Sequence, residues 1–289
     1  MPTSEFSSFA QAIFKQKYAQ PGEEWEDTAR RVVESVMKPY LPELVEEVVD
    51  LIVARKFMCG GRYLYAAGKE VAQVNNYVLT SVEDSREGWA DLMRKVTIGS
   101  MTGAGIGTVY SKLREEGAPV RGMGGTSTGP IALMQMVNEA GRHIVQGGSR
   151  RVALWAGLHW SHPDALKFIH LKDWSPEVRA LREQDYNFPA TMDLTNISVI
   201  LDDEFFVAYR DEAHHQHGWA QEVYWQTVES MLKTGEPGFS IDIGLNAGEH
   251  LRNPCCEVTS RDPDDICNLG SLNLANFDDI EEFDRAVYV

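Results

Sequence analysis

Asn253-Pro254-Cys255-Cys256-Glu257 sets an amide, a thiol and a carboxylate at alternate positions. In an extended loop those three side chains face one side. Together they offer a hydrogen-bond donor, a sulfur and a potential general base to a small substrate with neighbouring hydroxyls. Taken alone, the pentapeptide reads more simply as a surface turn begun by Asn-Pro with incidental cysteines. Twelve residues after Cys255, however, comes a further thiol, in Cys267-Asn268-Leu269-Gly270-Ser271-Leu272-Asn273-Leu274.

Sulfur chemistry other than metal binding is the natural question for these thiols. The chain has four cysteines, Cys59, Cys255, Cys256 and Cys267, too few and too unevenly spread for a disulfide framework. They form no Cys-x-x-Cys pair, and no His-x-x-x-His helix pair accompanies them, so zinc lacks its usual ligand spacing. His214-His215-Gln216-His217 sits at a helix start among acidic residues and reads as solvated surface, so no metal site is assigned. A formal charge of −16 argues against a nucleic-acid partner, which needs a basic face. No stretch approaches the roughly 18 apolar residues of a membrane span, and the first twenty residues lack the apolar run of a secretory signal. A cytoplasmic protein is expected.

Several elements must position the thiols. Between Glu23 and Tyr40 the residues Trp25, Ala29, Val32, Val33, Val36 and Met37 recur at helical spacing. Pro39-Tyr40-Leu41-Pro42 should end that helix and open a second, over Glu43 to Phe57. Residues 1–57 therefore read as a helical cap. Over 58–289, short apolar runs (Tyr77–Leu79, Gly107–Tyr110, Val152–Gly157, Asn196–Leu201, Phe239–Ile243) alternate with helical patterns near 86–100, 130–145, 164–171 and 219–234. That alternation predicts an α/β sheet or barrel. The chain stops at Asp284-Arg285-Ala286-Val287-Tyr288-Val289, inside what reads as a regular element, so a split or truncated product is expected.

NPCCE followed by CNLGSLNL closely resembles the ribonucleotide reductase family, and further segments support the likeness in the same order along the chain. EDSREGWADLMRKVTIGSMTGAGIG, over Glu83 to Gly107, is similar to the segment that runs from the effector site into a glycine-rich turn. GGTSTGP at Gly124–Pro130 and QGGSRR at Gln146–Arg151 resemble the two loops that sense an effector nucleotide; individually they are ordinary turn sequences. Glycine lets backbone approach a nucleotide and arginine pairs with phosphate or stacks on a base. Glu236-Pro237-Gly238-Phe239 reads as a structural turn.

The resemblance implies the first half of a ten-stranded α/β barrel, with the radical cysteine on a loop inside it and a helical cap ahead of it. It implies Cys255 as the thiyl residue, Glu257 as base at the 3′-hydroxyl, Asn253 as a hydrogen-bonding partner of the substrate and Cys267 as reductant. Cys59, Gly60, Asn76 and Gly105 fall where the substrate is bound. Asp84, Ser85, Thr126, Ser127, Arg150 and Arg151 fall where the effector is bound; the alternative for Asp84 and Arg150 is a solvated charge. The implied partners are a ribonucleotide substrate, a deoxynucleotide or ATP effector, a thioredoxin-like or small-molecule reductant, the downstream carboxy-terminal half of the reductase, and a second copy in a homodimer. EEWEDTARRV and the GGSRR loop look like the adenosylcobalamin-dependent class; the alternative is a class whose radical comes from a separate metal-containing subunit.

One position departs from the family. The segment before Glu83-Asp84-Ser85 should carry a cysteine that pairs with Cys267, but seven residues before Asp84 stands Tyr77. A phenol can hydrogen-bond or give a proton to a departing 2′-hydroxyl, but it cannot form a disulfide. Three readings stay open: electrons supplied through Cys59, an external small reductant, or a chain that serves as a nucleotide-binding or assembly subunit.

Overall fold

Parallel strands need long crossovers, and the chain provides a helix between each pair of its apolar runs. The computed structural model describes residues 6–70, 72–120, 122, 124–146 and 150–289, without the side chains of residues 145, 146, 150 and 246. It forms two compact units, Tyr77–Cys267 and a second made of Met1–Asn76 with Asn268–Val289. The expected boundary near residue 57 lies inside the second of these.

In the Tyr77–Cys267 unit, five parallel strands, β1 (Tyr77–Ser81), β2 (Gly105–Val109), β3 (Leu154–His159), β4 (Thr195–Asp202) and β5 (Gly238–Asp242), pair in sequence order. A short hairpin, β6 (Leu251–Arg252) with Thr259–Ser260, follows, and β7 (Asp265–Cys267) closes the β1 edge antiparallel, with Cys267 opposite Tyr77. The crossovers hold α1 (Arg86–Thr102), α2 (Gly129–Arg142), α3 (Ala165–Ile169), α4 (Asp203–Arg210) and α5 (His217–Thr234). All five expected strands and the four expected helices in this region are present. Ser85 caps α1 by accepting from the Gly88 amide at 2.9 Å, and Gly103, at φ 106°, ends it in the left-handed conformation that favours glycine.

Because strand side chains alternate, the sheet has two unlike faces. One carries Ile106, Leu154, Ala156, Leu158, Ile197, Val199 and Leu201, all buried in one apolar cluster with residues of α1 to α5. The other carries Tyr77, Leu79, Gly105, Gly107, Trp155, Gly157, Asn196 and Ser198, and it receives the 251–267 segment through a smaller cluster of Leu79, Val109, Trp155, Ile200, Leu251 and Cys267. This is a half-barrel: helices cover one side of five parallel strands, and the chemistry-bearing loop lies on the other.

In the other unit, helices Trp25–Val36 and Val45–Val53 pack Ala29, Val33, Val45, Val48, Val49 and Ile52 together. The second helix is shorter than the expected span to Phe57. Arg55 adopts φ 57°, breaking the helix, and Phe57–Cys59 becomes a strand antiparallel to Gly270–Leu272. The Ile280–Tyr288 helix is tied to this unit by Arg285 on Glu47, at 2.6 Å, and Lys56 on Glu282.

Candidate active site

The NPCCE segment is a hairpin tip and not the extended loop expected from its alternation. Arg252 pairs with Thr259, so residues 253–258 must reverse the chain. The Cys256 amide closes the turn on the Asn253 carbonyl at 2.9 Å, and Cys256 takes φ 69°. Asn253, 0% exposed, organises the tip: its Oδ1 accepts from the Glu257 and Val258 amides at 3.2 and 3.1 Å. Its Nδ2 donates to Glu257 Oε1 at 2.8 Å and lies 3.8 Å from Cys267 Sγ. A buried amide so fully engaged holds Glu257 in place, because leaving any of its groups unpaired costs about 1–3 kcal/mol.

Two glycines let the hairpin lie flat on the sheet. A Cβ on Gly107 would stand 1.8 Å from the Arg252 carbonyl oxygen; one on Gly105 would stand 2.7 Å from the Tyr77 ring and 3.0 Å from Pro254. The loop is pinned from beneath as well, by Asn196 Nδ2 on the Pro254 carbonyl at 2.8 Å and by the buried Arg252 guanidinium on the Ile241 carbonyl at 2.7 Å.

Cys255 is left exposed at the tip, with its Sγ 3.3 Å from the Tyr77 hydroxyl. The thiol thus stands on the helix-free face beside Asn253, Glu257, Cys267 and Tyr77, although it is not enclosed. Cys256 turns the other way, its sulfur 4.0 Å from Ser198 Oγ. Burial pushes the Tyr77 phenol well above its ordinary range, and its bond to Cys255 and the nearby Glu257 and Cys267 add to the shift. Burial likewise raises the Cys267 thiol, with Glu257 and Cys255 contributing, and raises Cys256. Tyr77, Cys256 and Cys267 therefore keep their protons at neutral pH and are not anions. Tyr77 and Cys267 are direct cross-strand neighbours, the relation in which Cβ atoms lie about 4.5–5.5 Å apart, so a cysteine at 77 would have stood where a disulfide partner of Cys267 belongs.

The other expected site residues divide between the units. Gly105 lies beneath Tyr77 and Pro254, as described. Gly60 and Asn76 belong to the unit that holds residues 1–76; the Gly60 amide donates to the Leu269 carbonyl at 2.7 Å, and the buried Asn76 Oδ1, near Gly60, has no hydrogen-bond partner among the described residues. Cys59 lines an apolar cleft of about 640 Å³ there, and burial pushes its thiol up to about 11.

Asp84, Ser85, Thr126 and Ser127 line one cleft of about 810 Å³ in the larger unit. Arg114, which the sequence did not single out, joins them: its Nε lies 2.8 Å from Asp84 Oδ2 and its Nη1 donates to the Pro119 carbonyl at 3.2 Å. The only signal for it was its place shortly after β2, in Ser111-Lys112-Leu113-Arg114. Arg151 stacks on Tyr186 at 4.8 Å and donates to Asn187. Of the QGGSRR loop, Gly147, Gly148, Ser149 and the Arg150 side chain lie outside the described residues. Glu236 is structural, accepting from the Ile197 amide at 3.1 Å and pairing with Lys172 at 2.7 Å. Among the described residues no group of three His, Cys, Asp or Glu side chains could hold a metal ion, and no helix is long and apolar enough to cross a membrane.

The family model for the ribonucleotide reductase barrel domain matches residues 76–217. The ribonucleoside-diphosphate reductase large chain of Schizosaccharomyces pombe is 25% identical, over 81% of this chain and 33% of its own length. The vitamin B12-dependent ribonucleotide reductase of Rhodopirellula baltica is 30% identical, over 72% of this chain and 23% of its own. This chain thus spans about a third or less of the length of these curated relatives. Among solved structures, the class Id ribonucleotide reductase alpha subunit of Actinobacillus ureae superposes with a TM-score of 0.71 at 14% identity, covering 94% of this chain and 50% of that one; at that identity the likeness is one of fold.

Proposed function

From a chain that belongs to the ribonucleotide reductase large-subunit family, we propose an active-site half in which Cys255 carries the radical that starts reduction of a ribonucleotide to its 2′-deoxyribonucleotide. The observation that supports this most is the convergence of Cys255, Tyr77, Asn253, Glu257 and Cys267 on the helix-free face. A sulfur radical at Cys255 takes the 3′ hydrogen of the ribose. Glu257, oriented by the Asn253 amide, takes the 3′-hydroxyl proton as general base. The 2′-hydroxyl leaves as water, protonated by Cys267 or Tyr77. Two electrons and two protons are taken up overall, and return of the 3′ hydrogen restores the radical to sulfur.

Because residue 77 is a phenol, its cross-strand pair with Cys267 cannot close into a disulfide. We therefore assign the electrons to an external donor, a thioredoxin-like protein or a small reductant. Cys59 is the weaker candidate, since a thiol pushed up to about 11 offers little thiolate. Cys59, Gly60, Asn76 and Gly105 are proposed on the substrate side, the cleft of Asp84, Ser85, Arg114, Thr126 and Ser127 is proposed to take a deoxynucleotide or ATP effector, and Arg150 and Arg151 are proposed to serve that effector as well. The rest of the barrel comes from further polypeptide, and a homodimer is the expected assembly.

Relatives named vitamin B12-dependent support adenosylcobalamin as the radical source; relatives named as large chains support a separate metal-containing subunit as the second reading. Around Cys255 the described side chains are a phenol, an amide, a carboxylate and thiols. They do not build a corrinoid pocket, so no step is routed through that cofactor.

The test is a panel of ribonucleoside di- and triphosphates given to the chain together with a polypeptide supplying the rest of the barrel. Arms contain adenosylcobalamin or a metal-containing radical subunit, with thioredoxin or small reductants. Deoxynucleotide product that vanishes in Cys255→Ala is expected; undiminished product in that variant overturns the reading. Nucleotide binding at the Asp84 cleft with no product in any arm would establish instead a nucleotide-binding or assembly subunit, which the phenol at 77 favours.

A further inference from the structure

We propose that Tyr77 is a catalytic residue that exchanges a hydrogen atom with Cys255, so that a radical formed on the sulfur passes reversibly to the phenol oxygen. The inference rests on the reading of Cys255 as the radical residue and adds to it a second place where the unpaired electron resides.

The geometry carries it. The two reacting atoms are in hydrogen-bond contact, Cys255 Sγ to Tyr77 Oη at 3.3 Å. Each is held from its own side. Tyr77 is fixed on β1 between Gly105 of β2 and Cys267 of β7, and the absence of a Cβ at Gly105 gives its ring a flat seat. Cys255 is fixed by the Asn253 turn and by the Asn196 bond to the Pro254 carbonyl. Reacting groups already in contact need no further translation to react. The charged and titratable groups facing the phenol are Cys255, Glu257 and Cys267, all acids, and together with burial they keep its proton in place.

The step balances without any further reagent. The thiol now donates to the phenol oxygen; once sulfur has lost its hydrogen, the phenol O–H turns towards it. The O–H bond of Tyr77 breaks and the S–H bond of Cys255 forms. Sulfur is reduced by one electron, the phenol oxidised by one, and proton and electron move together, so no charge is created in a partly buried site. Phenolic O–H and thiol S–H bonds are close in strength, so the exchange runs in both directions. A cysteine at 77 would serve as half of a reducing pair. The tyrosine instead gives the radical a resting place next to the sulfur that uses it.

The experiment generates the sulfur radical by light, independently of any enzymatic source. Cys255 is exposed, whereas Cys59 and Cys256 are half-buried and Cys267 is buried; S-nitrosation of the chain followed by photolysis therefore releases nitric oxide and leaves a thiyl at Cys255. A phenoxyl radical should then appear by EPR and by its absorption. The signal should be lost in Tyr77→Phe and in Cys255→Ala, kept in Cys256→Ser, and altered in hyperfine pattern when the chain carries ring-deuterated tyrosine. Cys255→Ala removes an exposed side chain and guards against a Tyr77→Phe variant that fails to fold. A phenoxyl signal of equal size in either variant, or none in the unaltered chain, overturns the proposal. Failure here leaves deoxynucleotide formation untouched as a separate measurement, and failure of that assay leaves the photochemical exchange standing.

Discussion

Ile106 and Gly107 are neighbours on one strand, yet they belong to two different molecules in all but the covalent sense. Ile106 faces α1, 2% exposed, in the core that makes the half-barrel stable. Gly107 faces the hairpin, where its missing side chain leaves room for the Arg252 carbonyl. On the helix-covered face the residues are aliphatic and nearly interchangeable in kind. On the other, beside the aliphatic Leu79, Val109 and Ile200, stand glycine, asparagine, serine, tyrosine and tryptophan, which meet the hairpin through particular neighbours. One face sets whether the chain folds, and the other what it can do once folded.

The largest effect expected is on activity alone. Glu257 is exposed, and glutamine at that position can still accept from Asn253 Nδ2. Glu257→Gln in the complete reductase should lower kcat by about 10²–10⁴, the usual contribution of a general base, with the melting temperature unchanged. A kcat within a few-fold of the parent would remove Glu257 from the chemistry and weaken the division between faces.

The adjacent pair tests that division directly. Ile106→Ala should cost about 2–5 kcal/mol in urea unfolding, as large-to-small changes in a close-packed core do, while the remaining folded protein keeps its Cys255 environment. Gly107→Ala should show the opposite emphasis. A methyl at 1.8 Å from a backbone oxygen must displace the hairpin, so activity falls steeply while stability drops by about 1–3 kcal/mol, the range for overpacking. Limited proteolysis between residues 251 and 260 should report the displaced hairpin in Gly107→Ala and not in Ile106→Ala.

The two faces were unequally legible in the sequence. Core strands announce themselves because burial against helices demands runs such as Leu154 to Leu158 and Ile197 to Leu201, and all five were read. The chemistry of the other face was visible through residue types at Cys255, Glu257 and Cys267, but not its geometry. Alternation suggested an extended loop, whereas a buried Asn253 side chain and the left-handed Cys256 make a turn, an outcome set by long-range contacts with Asn196, Gly105 and Gly107. Arg114 was missed because a single arginine in a loop carries no periodic signal. The pairing of Cys59 with Gly270 was missed because strand partners so far apart in sequence leave no local trace. The early end of the second helix at Arg55 was missed for want of a glycine or proline there.

The smallest expected effect is alkaline, and it distinguishes the faces by which phenol is removed. Tyr77 on the hairpin face and the fully buried Tyr110 on the helix face both have phenols raised above their ordinary range, chiefly by burial. An acid whose folded value is raised contributes stability that is complete below its unfolded value and is lost as pH climbs towards the folded one. For a phenol that loss begins near pH 10, and for the raised thiols of Cys256 and Cys267 near pH 8.5. Urea unfolding at pH 8 and pH 10.5 should show the parent losing stability between the two, Tyr110→Phe losing clearly less, and Tyr77→Phe only slightly less, because the half-buried Tyr77 phenol is partly screened by solvent. Equal protection by the two variants would mean that the hairpin face is as dry as the core and that Cys255 stands in a closed site rather than an open one.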